Sequence, residues 1–563
     1  MEEKKGYGVV YTPLPLANFV ARILLDELYS NPSQIVNEHV IVDPACGESV
    51  LLDAVIKTAS NMCPNKNIKL IGIDVEENVI KKDRLKYIDN PFFDFLNFDS
   101  ILPTTENVDA YWKNHIPRVS ATIANPPWSS NRIYEQKSLF KAGYRFTSGQ
   151  YDSYVLFIEL CLKLVKQGGY CAFILPDSIF SGENKTLRDY LSEKYELRLI
   201  ARLGEKLFPN INRATSVMII KKNKPSGETK TRCFRLTTDQ RKQFLENKTD
   251  LYSIFTTASY EVSQARFREN NNYTFNIDTR EEEEMLLRKI ETNAITWAKI
   301  FRFGRGVEIS KSGLIVTCSE CGQSQGFSKK QQNAKKKKCI HCGSVVNIKA
   351  ESTNKIISNS PNLAYYKKIL VGENIFRYTI KGERYIKLGV NGINYKEPKL
   401  YDPPKILIRK TGLGINACLD YSGTYITQTV YSCNYIDVDN DIPLEYYLGV
   451  LNSRVMFYYY IKIFGENEWK SHPYLTKEIL FSLPVKKVND YNKELCLEIA
   501  EKTKKISEQY SRYLDIEIEN LIIKLYDIDA TELGFIVSEM EKLPNLSAIN
   551  HMKFYDYRLD NQL

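Results

Sequence analysis

Asn125-Pro126-Pro127-Trp128 closes the apolar run Ala121-Thr122-Ile123-Ala124. The run is short and uncharged, and it reads as a buried strand. Proline fixes φ and has no N–H, and a residue before proline is driven to extended geometry. The tetrapeptide is therefore a stiff strand exit with outward carbonyls. Asn125 adds a side-chain acceptor and Trp128 a flat aromatic face. Two acceptors beside an aromatic plane suit a planar amino group, which makes Asn125, Pro126, Pro127 and Trp128 the candidate catalytic turn.

The strands upstream end in acidic turns. Tyr11-Thr12-Pro13 opens an amphipathic helix over Leu16 to Leu28, with proline at its start. His39-Val40-Ile41-Val42 reads as a strand leading into Asp43-Pro44-Ala45-Cys46-Gly47-Glu48-Ser49, with a helix expected from Val50. A second strand, 69–73, ends in Asp74, where a carboxylate can accept both ribose hydroxyls of a nucleoside cofactor. A third, 95–98, ends in Asp99-Ser100. Asp43, Asp74 and Asp99 are thus delivered to one sheet edge, where open α/β sheets bind ligands. A helix from Tyr154 through Val165, stopped by Gly168-Gly169, and strands at 170–175 and 214–220 continue the alternation.

In this order the motifs resemble the catalytic domain of S-adenosylmethionine-dependent DNA amino-methyltransferases over residues 8–222. The gamma group, in which the Thr12-Pro13 segment precedes the Asp43 turn, and TaqI-type N6-adenine methyltransferases within it are the nearest likeness. The resemblance implies that Thr12, Asp43, Ala45, Cys46, Gly47, Asp74, Asp99, Ser100 and Phe157 line the S-adenosylmethionine site. It also implies that Asn125 and the Pro126 carbonyl hold the target amine, while Trp128 and Phe208 contact a flipped base. Trp128 stands where family members often carry tyrosine.

Downstream, Ile300 to Glu308, Lys405 to Lys410 and Tyr447 to Ser453 resemble a TaqI-like specificity domain, with Arg302, Arg305, Arg409 and Lys410 as candidate DNA contacts. Cys318-Ser319-Glu320-Cys321 and Cys339-Ile340-His341-Cys342 form a zinc-ribbon signature, because a tetrahedral Zn²⁺ takes four thiolates from two tight turns. Cys318, Cys321, Cys339 and Cys342 are expected to hold a structural Zn²⁺ in what looks like an insertion. The lysine-rich stretch 329–338 between the knuckles would give phosphate affinity on a DNA-facing module. Helical periodicity marks Lys493 to Leu525.

The expected fold is α/β: a Rossmann-like methyltransferase sheet with helices on both faces. An α+β target-recognition domain with a zinc ribbon and a C-terminal helical segment would follow. The boundaries are a catalytic domain at 1–225, a connecting region at 226–290, a target-recognition domain at 291–490 with the ribbon at 314–347, and a helical segment at 491–563.

The 563 residues hold 77 Lys and Arg against 68 Asp and Glu, an excess of +9 that permits a polyanionic partner without demanding one. Neither a membrane-spanning run nor a signal peptide is legible, so a cytoplasmic protein with reduced thiols is expected. Little precedes Thr12, so an N-terminal nuclease domain is not expected. Duplex DNA is the expected partner; a separate restriction endonuclease or defence-system partner, and the oligomeric state, stay open. The leading reading is site-specific N6-adenine methylation of DNA by base flipping, in restriction-modification or defence. N4-cytosine methylation, protein-glutamine methylation and a catalytically dead specificity subunit are the alternatives.

Overall fold

The computed structural model describes residues 12–30, 38–62, 67–104, 107–116, 118–128, 134–147, 152–208, 213–349, 352–361, 366–436, 441–464, 475–543 and 549–553. Tyr11 and Pro209, which flank Thr12 and Phe208, lie outside them. The chain divides into two compact units, one holding residues up to Arg280 and the other nearly all the chain from Glu281. Among the described residues no helix is long and apolar enough to cross a membrane.

In the first unit α1 (Leu14–Tyr29) precedes β1 (Glu38–Asp43), α2 (Val50–Met62), β2 (Asn67–Asp74), α3 (Glu77–Lys86) and β3 (Phe93–Asn97). There follow α4 (Val108–His115), β4 (Val119–Ala124), α5 (Gln136–Lys141), α6 (Ser153–Leu164) and β5 (Val165–Pro176). Then come α7 (Lys185–Lys194), β6 (Glu196–Gly204), β7 (Thr215–Lys221), β8 (Lys230–Arg235), α8 (Thr238–Leu245), α9 (Leu251–Ala258) and β9 (Tyr260–Ser263). All nine strands form one sheet in the order β3-β2-β1-β4-β5-β7-β6-β8-β9. From β3 to β5 neighbouring strands run parallel, whereas β7 lies antiparallel between β5 and β6.

Burial on both faces explains why the central strands read as unbroken apolar runs rather than alternating ones. In β5, Tyr170, Ala172 and Ile174 pack into a layer shared with α1, α2 and α9. Cys171, Phe173 and Leu175 point the other way, into a layer with α4, α6 and α7. This is the α/β sheet with helices on both faces that the sequence led us to expect.

Three features differ from or add to the expected fold. Residues 226–290 are not a connecting region: β8 pairs parallel with β6, and β9 pairs with β8. Arg188 holds this segment to the unit by donating to the carbonyls of Tyr273 and Asn272, each at 3.0 Å. The second is β6, Glu-Leu-Arg-Leu-Ile-Ala-Arg-Leu-Gly, a strand not expected from the sequence because two arginines hid its character. Arg198 pairs with Glu27 of α1 at 2.9 Å and Arg202 with Asp177 at 2.5 Å, so distant carboxylates neutralise both charges. Third, Gly168-Gly169 does not end a helix. α6 stops at Leu164, and β5 begins at once and runs through both glycines.

The second unit is α+β. A four-stranded antiparallel sheet runs in the spatial order Phe301–Arg305, Val430–Tyr435, Lys405–Arg409, Ala417–Asp420. It shares one large core with helices Glu281–Glu291, Leu444–Leu451, Arg454–Phe464, Lys493–Glu508 and Arg512–Leu525. The helices beyond residue 491 are therefore part of this core and not a separate segment. Ion pairs set the joint. Arg454 and Arg377 are about 2% exposed at the side chain, as is Asp515, and Glu519 about 1%. Arg454 Nη1 meets Glu519 Oε2 at 3.0 Å, while Glu519 also accepts from the Arg454 backbone N–H at 2.9 Å. Arg377 Nη1 meets Asp515 Oδ2 at 2.6 Å. Burial pushes the Asp515 carboxyl upward, but the two guanidinium groups overcome this and hold it well below the ordinary carboxylate range.

A buried charge that loses its partner costs far more than the pair contributes. Glu519→Ala is therefore expected to lower stability by about 3–5 kcal/mol, read as a lower urea midpoint. A change within error would show that the joint does not depend on this pair.

Candidate active site

The order of the sheet reverses between β1 and β4, because β2 and β3 lie on one side of β1 while β5 follows on the far side of β4. In open α/β sheets the crevice beyond the carboxyl ends of strands at such a reversal binds ligands. Here β1 ends in the Asp43 turn and β4 in Asn125-Pro126-Pro127-Trp128. The two turns singled out in the sequence thus leave adjacent strands at the same edge.

The Asp43 turn is fastened to the end of β2. Cys46 N–H donates to the Ile73 carbonyl at 3.0 Å and Gly47 N–H to Asp74 Oδ2 at 2.9 Å. The other Asp74 oxygen accepts from Glu76 N–H, also at 2.9 Å. Gly47 (φ 50°) and Ser49 (φ 58°) take the left-handed region, which is costly for serine. Ser49 is held there by its hydroxyl, which donates to Asp83 Oδ2 at 2.6 Å. Ala45 N–H donates to Asp43 Oδ1 at 3.1 Å, and Ser100 Oγ to the Pro44 carbonyl at 2.6 Å. Asp99 Oδ1 accepts from the N–H of Ile101 at 2.9 Å and from the Tyr134 hydroxyl at 3.0 Å. Asp43, Ala45, Cys46, Gly47, Asp74, Asp99 and Ser100 therefore form one connected edge. Phe157 is 8% exposed on α6, within the core layer on one face of the sheet.

Asp43 is 1% exposed, and no ion pair reaches it among the described residues. Burial, with the Asp74 charge adding to it, pushes its carboxyl up to about 8 despite the Ala45 hydrogen bond. Burial and the same carboxylates also push the Cys46 thiol far up, so it stays neutral. The edge is short of positive charge.

Across the reversal, Asn125 Nδ2 donates to Thr12 Oγ1 at 3.0 Å, a contact spanning 113 residues. It sets which way the amide faces. The Pro127 carbonyl accepts from Ser153 Oγ at 2.5 Å, and the Trp128 carbonyl from Arg213 Nη1 at 2.7 Å. Trp128 and Phe208 are 5% and 2% exposed, with ring centroids 5.2 Å apart and planes at 78°. The structure thus brings Thr12, Asn125, Trp128 and Phe208 together. Ser153 and Arg213 hold the turn but were missed, because a lone serine at the start of a helix and a lone arginine before a strand carry no pattern. Gly72 was missed too: a Cβ there would meet the Phe95 ring at 2.8 Å and Cys46 Sγ at 3.0 Å.

In the second unit the four cysteine sulfurs lie within 4.8 Å of one another. Each knuckle reads Cys-x-x-Cys-Gly and closes the same way. Gly322 N–H donates to the Cys318 carbonyl at 2.9 Å and Gly343 N–H to the Cys339 carbonyl at 3.0 Å, both glycines at positive φ. The Ser344 hydroxyl lies 3.3 Å from Cys318 Sγ and 2.9 Å from Cys342 Sγ. Its hydrogen bonds lower the Cys318 and Cys342 thiols, while Cys321, facing the other three sulfurs, is raised.

The four candidate DNA cations do not form one set. Arg305 pairs in register with Tyr431 and Arg409 with the adjacent Val430, at the same end of the four-stranded sheet but on opposite faces, and Lys410 follows directly. Arg302 pairs in register with Asn434, further along the sheet, on the face opposite to Phe301 and Phe303. Arg305 is engaged by Glu308 at 2.9 Å, and Arg409 Nε donates to the Thr411 carbonyl at 2.6 Å.

Residues 1–287 match the N-6 DNA Methylase family, and residues 367–485 match the TaqI-like C-terminal specificity domain. The chain is 26% identical over 219 residues to the type II methyltransferase M.BanIII of Aneurinibacillus aneurinilyticus, covering 37% of each protein. It is 24% identical over 237 residues to the type I restriction enzyme MpnII methylase subunit of Mycoplasma pneumoniae, covering 39% of this chain and 41% of that protein. The match thus spans about two-fifths of the length of these curated relatives. Among solved structures, a nuclease-deletion mutant of the Type ISP restriction-modification enzyme LlaGI, in complex with a DNA substrate mimic, shares the fold. Its TM-score is 0.50 at 15% identity, over 91% of this chain and 55% of that one.

Gly72→Ala is expected to destabilise the first unit by about 1–3 kcal/mol, since the added methyl overpacks against the buried Phe95 ring. An unchanged thermal unfolding midpoint would show that the Cys46 turn can give way.

Proposed function

As the chain belongs to the N-6 DNA methylase family, we propose that it transfers a methyl group from S-adenosylmethionine to the N6 amino group of adenine in duplex DNA. The observation that carries this reading is the pairing of two unlike turns at the strand-order reversal. One buries an uncompensated carboxyl, and the other presents acceptors beside an aromatic face.

The residues at the β1–β3 edge fit the cofactor. A buried carboxyl with no cationic partner among the described residues suits a cation, and S-adenosylmethionine carries a sulfonium and an ammonium. Asp43 and the turn Ala45-Cys46-Gly47 would hold its charged end, Asp74 its ribose, and Asp99, Ser100, Phe157 and Thr12 the remainder. When bound, the cofactor supplies an electrophilic methyl group.

The chain's own contribution is placement. An adenine amine is a weak nucleophile because its lone pair is delocalised into the ring. Asn125 Oδ1 and the Pro126 carbonyl accept its two hydrogens, which localises the lone pair and aims it. Asn125 is uncharged and acts by position, not as a base. A flipped adenine displaces the contact between Trp128 and Phe208, worth about 0.5–1.5 kcal/mol beyond its buried area. It gains stacking worth about 1–3 kcal/mol per base, so the exchange favours entry once the base has left the helix.

The gamma-group order supports this assignment, as does the Asn125–Thr12 hydrogen bond, which ties the segment before β1 to the catalytic turn. The Cys318, Cys321, Cys339 and Cys342 cluster is read as a structural Zn²⁺ site, since four protein thiolates leave no open position. Arg305, Arg409, Lys410 and Arg302 are read as DNA contacts of the specificity domain. We assign the protein to modification in a cytoplasmic restriction-modification or defence system. Digestion of duplex DNA to nucleosides after incubation with S-adenosylmethionine, followed by mass spectrometry, tests the activity. N6-methyladenine supports it, N4-methylcytosine moves the reaction to the other base, and no methylated nucleoside overturns it.

Asn125→Ala is expected to lower turnover at least about 10²-fold, the cost of losing one preorganised contact to the reacting group, with cofactor affinity unchanged. Near-normal turnover would sink the mechanism.

Cofactor binding should also carry a proton signature. Below about pH 8 the free protein holds Asp43 protonated, while a cationic ligand favours the carboxylate. Affinity is therefore full above that pH and declines as pH falls, by at most about tenfold per unit. Calorimetry at pH 7 in buffers of different ionisation enthalpy is expected to show up to one proton released per site, and Asp43→Asn to remove it. An enthalpy independent of buffer would refute the role of Asp43.

A further inference from the structure

The ribbon has a charge distribution unlike the rest of its unit. Between Leu314 and Lys349 there are seven lysines and one acidic residue, Glu320. Elsewhere in the unit acids stand beside several of the lysines: Lys368 pairs with Glu383 at 2.7 Å, Lys396 with Glu308 at 3.0 Å, and Lys311 with Glu373. Lys330, Lys336 and Lys338 are exposed, and among the described residues no ion pair reaches them.

The pattern is built by the strand. Lys336–Lys338 pairs antiparallel with Val345–Asn347, with Lys337 opposite Val346 and Lys338 opposite Val345. Alternation sends Val346 into the small ribbon core with Cys318, Phe327 and Cys339, and it turns Lys337 inward to donate to the Gly326 carbonyl. Lys336 and Lys338 are left on the outer face. Lys330 lies in a helical turn opened by a capping box between Ser328 and Gln331. The lysines therefore sit on ordered backbone, fastened by two knuckles, so that little further ordering is needed on contact.

A face of unpaired ammonium groups repels itself and is relieved by a polyanion, which releases counterions as it binds. Lysine is a point charge with no planar fork, which suits phosphate and not base edges. The one Phe, Tyr or Trp in the stretch, Phe327, is 7% exposed, so the ribbon offers no stacking platform for single strands. We propose that the lysine face of the ribbon docks on the phosphate backbone of duplex DNA and adds affinity that is independent of sequence. This rests on the reading that the chain acts on DNA.

The test is fluorescence anisotropy of a labelled duplex against the full chain over a salt series. The wild type is compared with a triple variant carrying Lys330→Gln, Lys336→Gln and Lys338→Gln. A second triple places arginine at the same positions, and circular dichroism checks the fold of each. The logarithm of affinity falls with the logarithm of salt by about 0.9 per phosphate contact. The glutamine triple is expected to flatten that slope by about 2 to 3, and the arginine triple to retain it. A wild-type slope in the glutamine triple would overturn the proposal while leaving DNA as the substrate. Absence of any duplex binding by the wild type would overturn the DNA reading itself, and this inference with it.

Discussion

The parallel pairing of β4 with β1 is the constraint on which the first unit depends. It is a long-range pairing, since three helices and two further strands intervene in sequence, and it reverses the direction in which the sheet grows. Were β4 to pair anywhere else, the Asp43 and Asn125 turns would leave the sheet at separate places. The Thr12 hydrogen bond to Asn125 could then not form. Because the central strands are buried on both faces, their register is set by two apolar layers at once, and a slip by one residue would exchange both. The site is precise because its floor cannot slide.

Above that floor the two turns are stiffened by different means. The Asn-Pro-Pro-Trp turn has rigid φ angles of its own and is held from outside by Thr12, Ser153 and Arg213. The Asp43 turn uses left-handed backbone at Gly47 and Ser49, with hydrogen bonds to the exits of neighbouring strands. It also keeps a buried carboxyl that no ion pair reaches among the described residues. That is the feature the proposed cationic cofactor would complement.

The second unit manages buried charge in the opposite way. Arg377, Arg454, Asp515 and Glu519 compensate one another, and together they join the C-terminal helices to the core. The proposed Zn²⁺ site at the cysteine cluster would do similar work on a smaller scale, beside a core of few apolar residues. In each case polar groups give local uniqueness to a fold whose bulk stability comes from apolar burial.

Much of this was legible in the chain. The apolar run before Asn125 and the acidic strand ends are local patterns, and so is the spacing of the two Cys-x-x-Cys pairs. Local pattern is what strand, turn and metal-ligand chemistry depend on. Strand β6 was not legible, because Arg198 and Arg202 are acceptable inside a sheet only when Glu27 and Asp177 stand beside them. The same holds for β8 and β9, whose polar sequences gain a sheet edge only after β6 is in place. Likewise, Arg302 and Arg409 fall on one face of their sheet and Arg305 on the other only through the period of two along strands whose pairing is tertiary. Local sequence is enough to say which residues end the strands and which thiols can meet. Which ends become neighbours and which charges are compensated depends on contacts between segments far apart in the chain, and so emerges only with the folded structure.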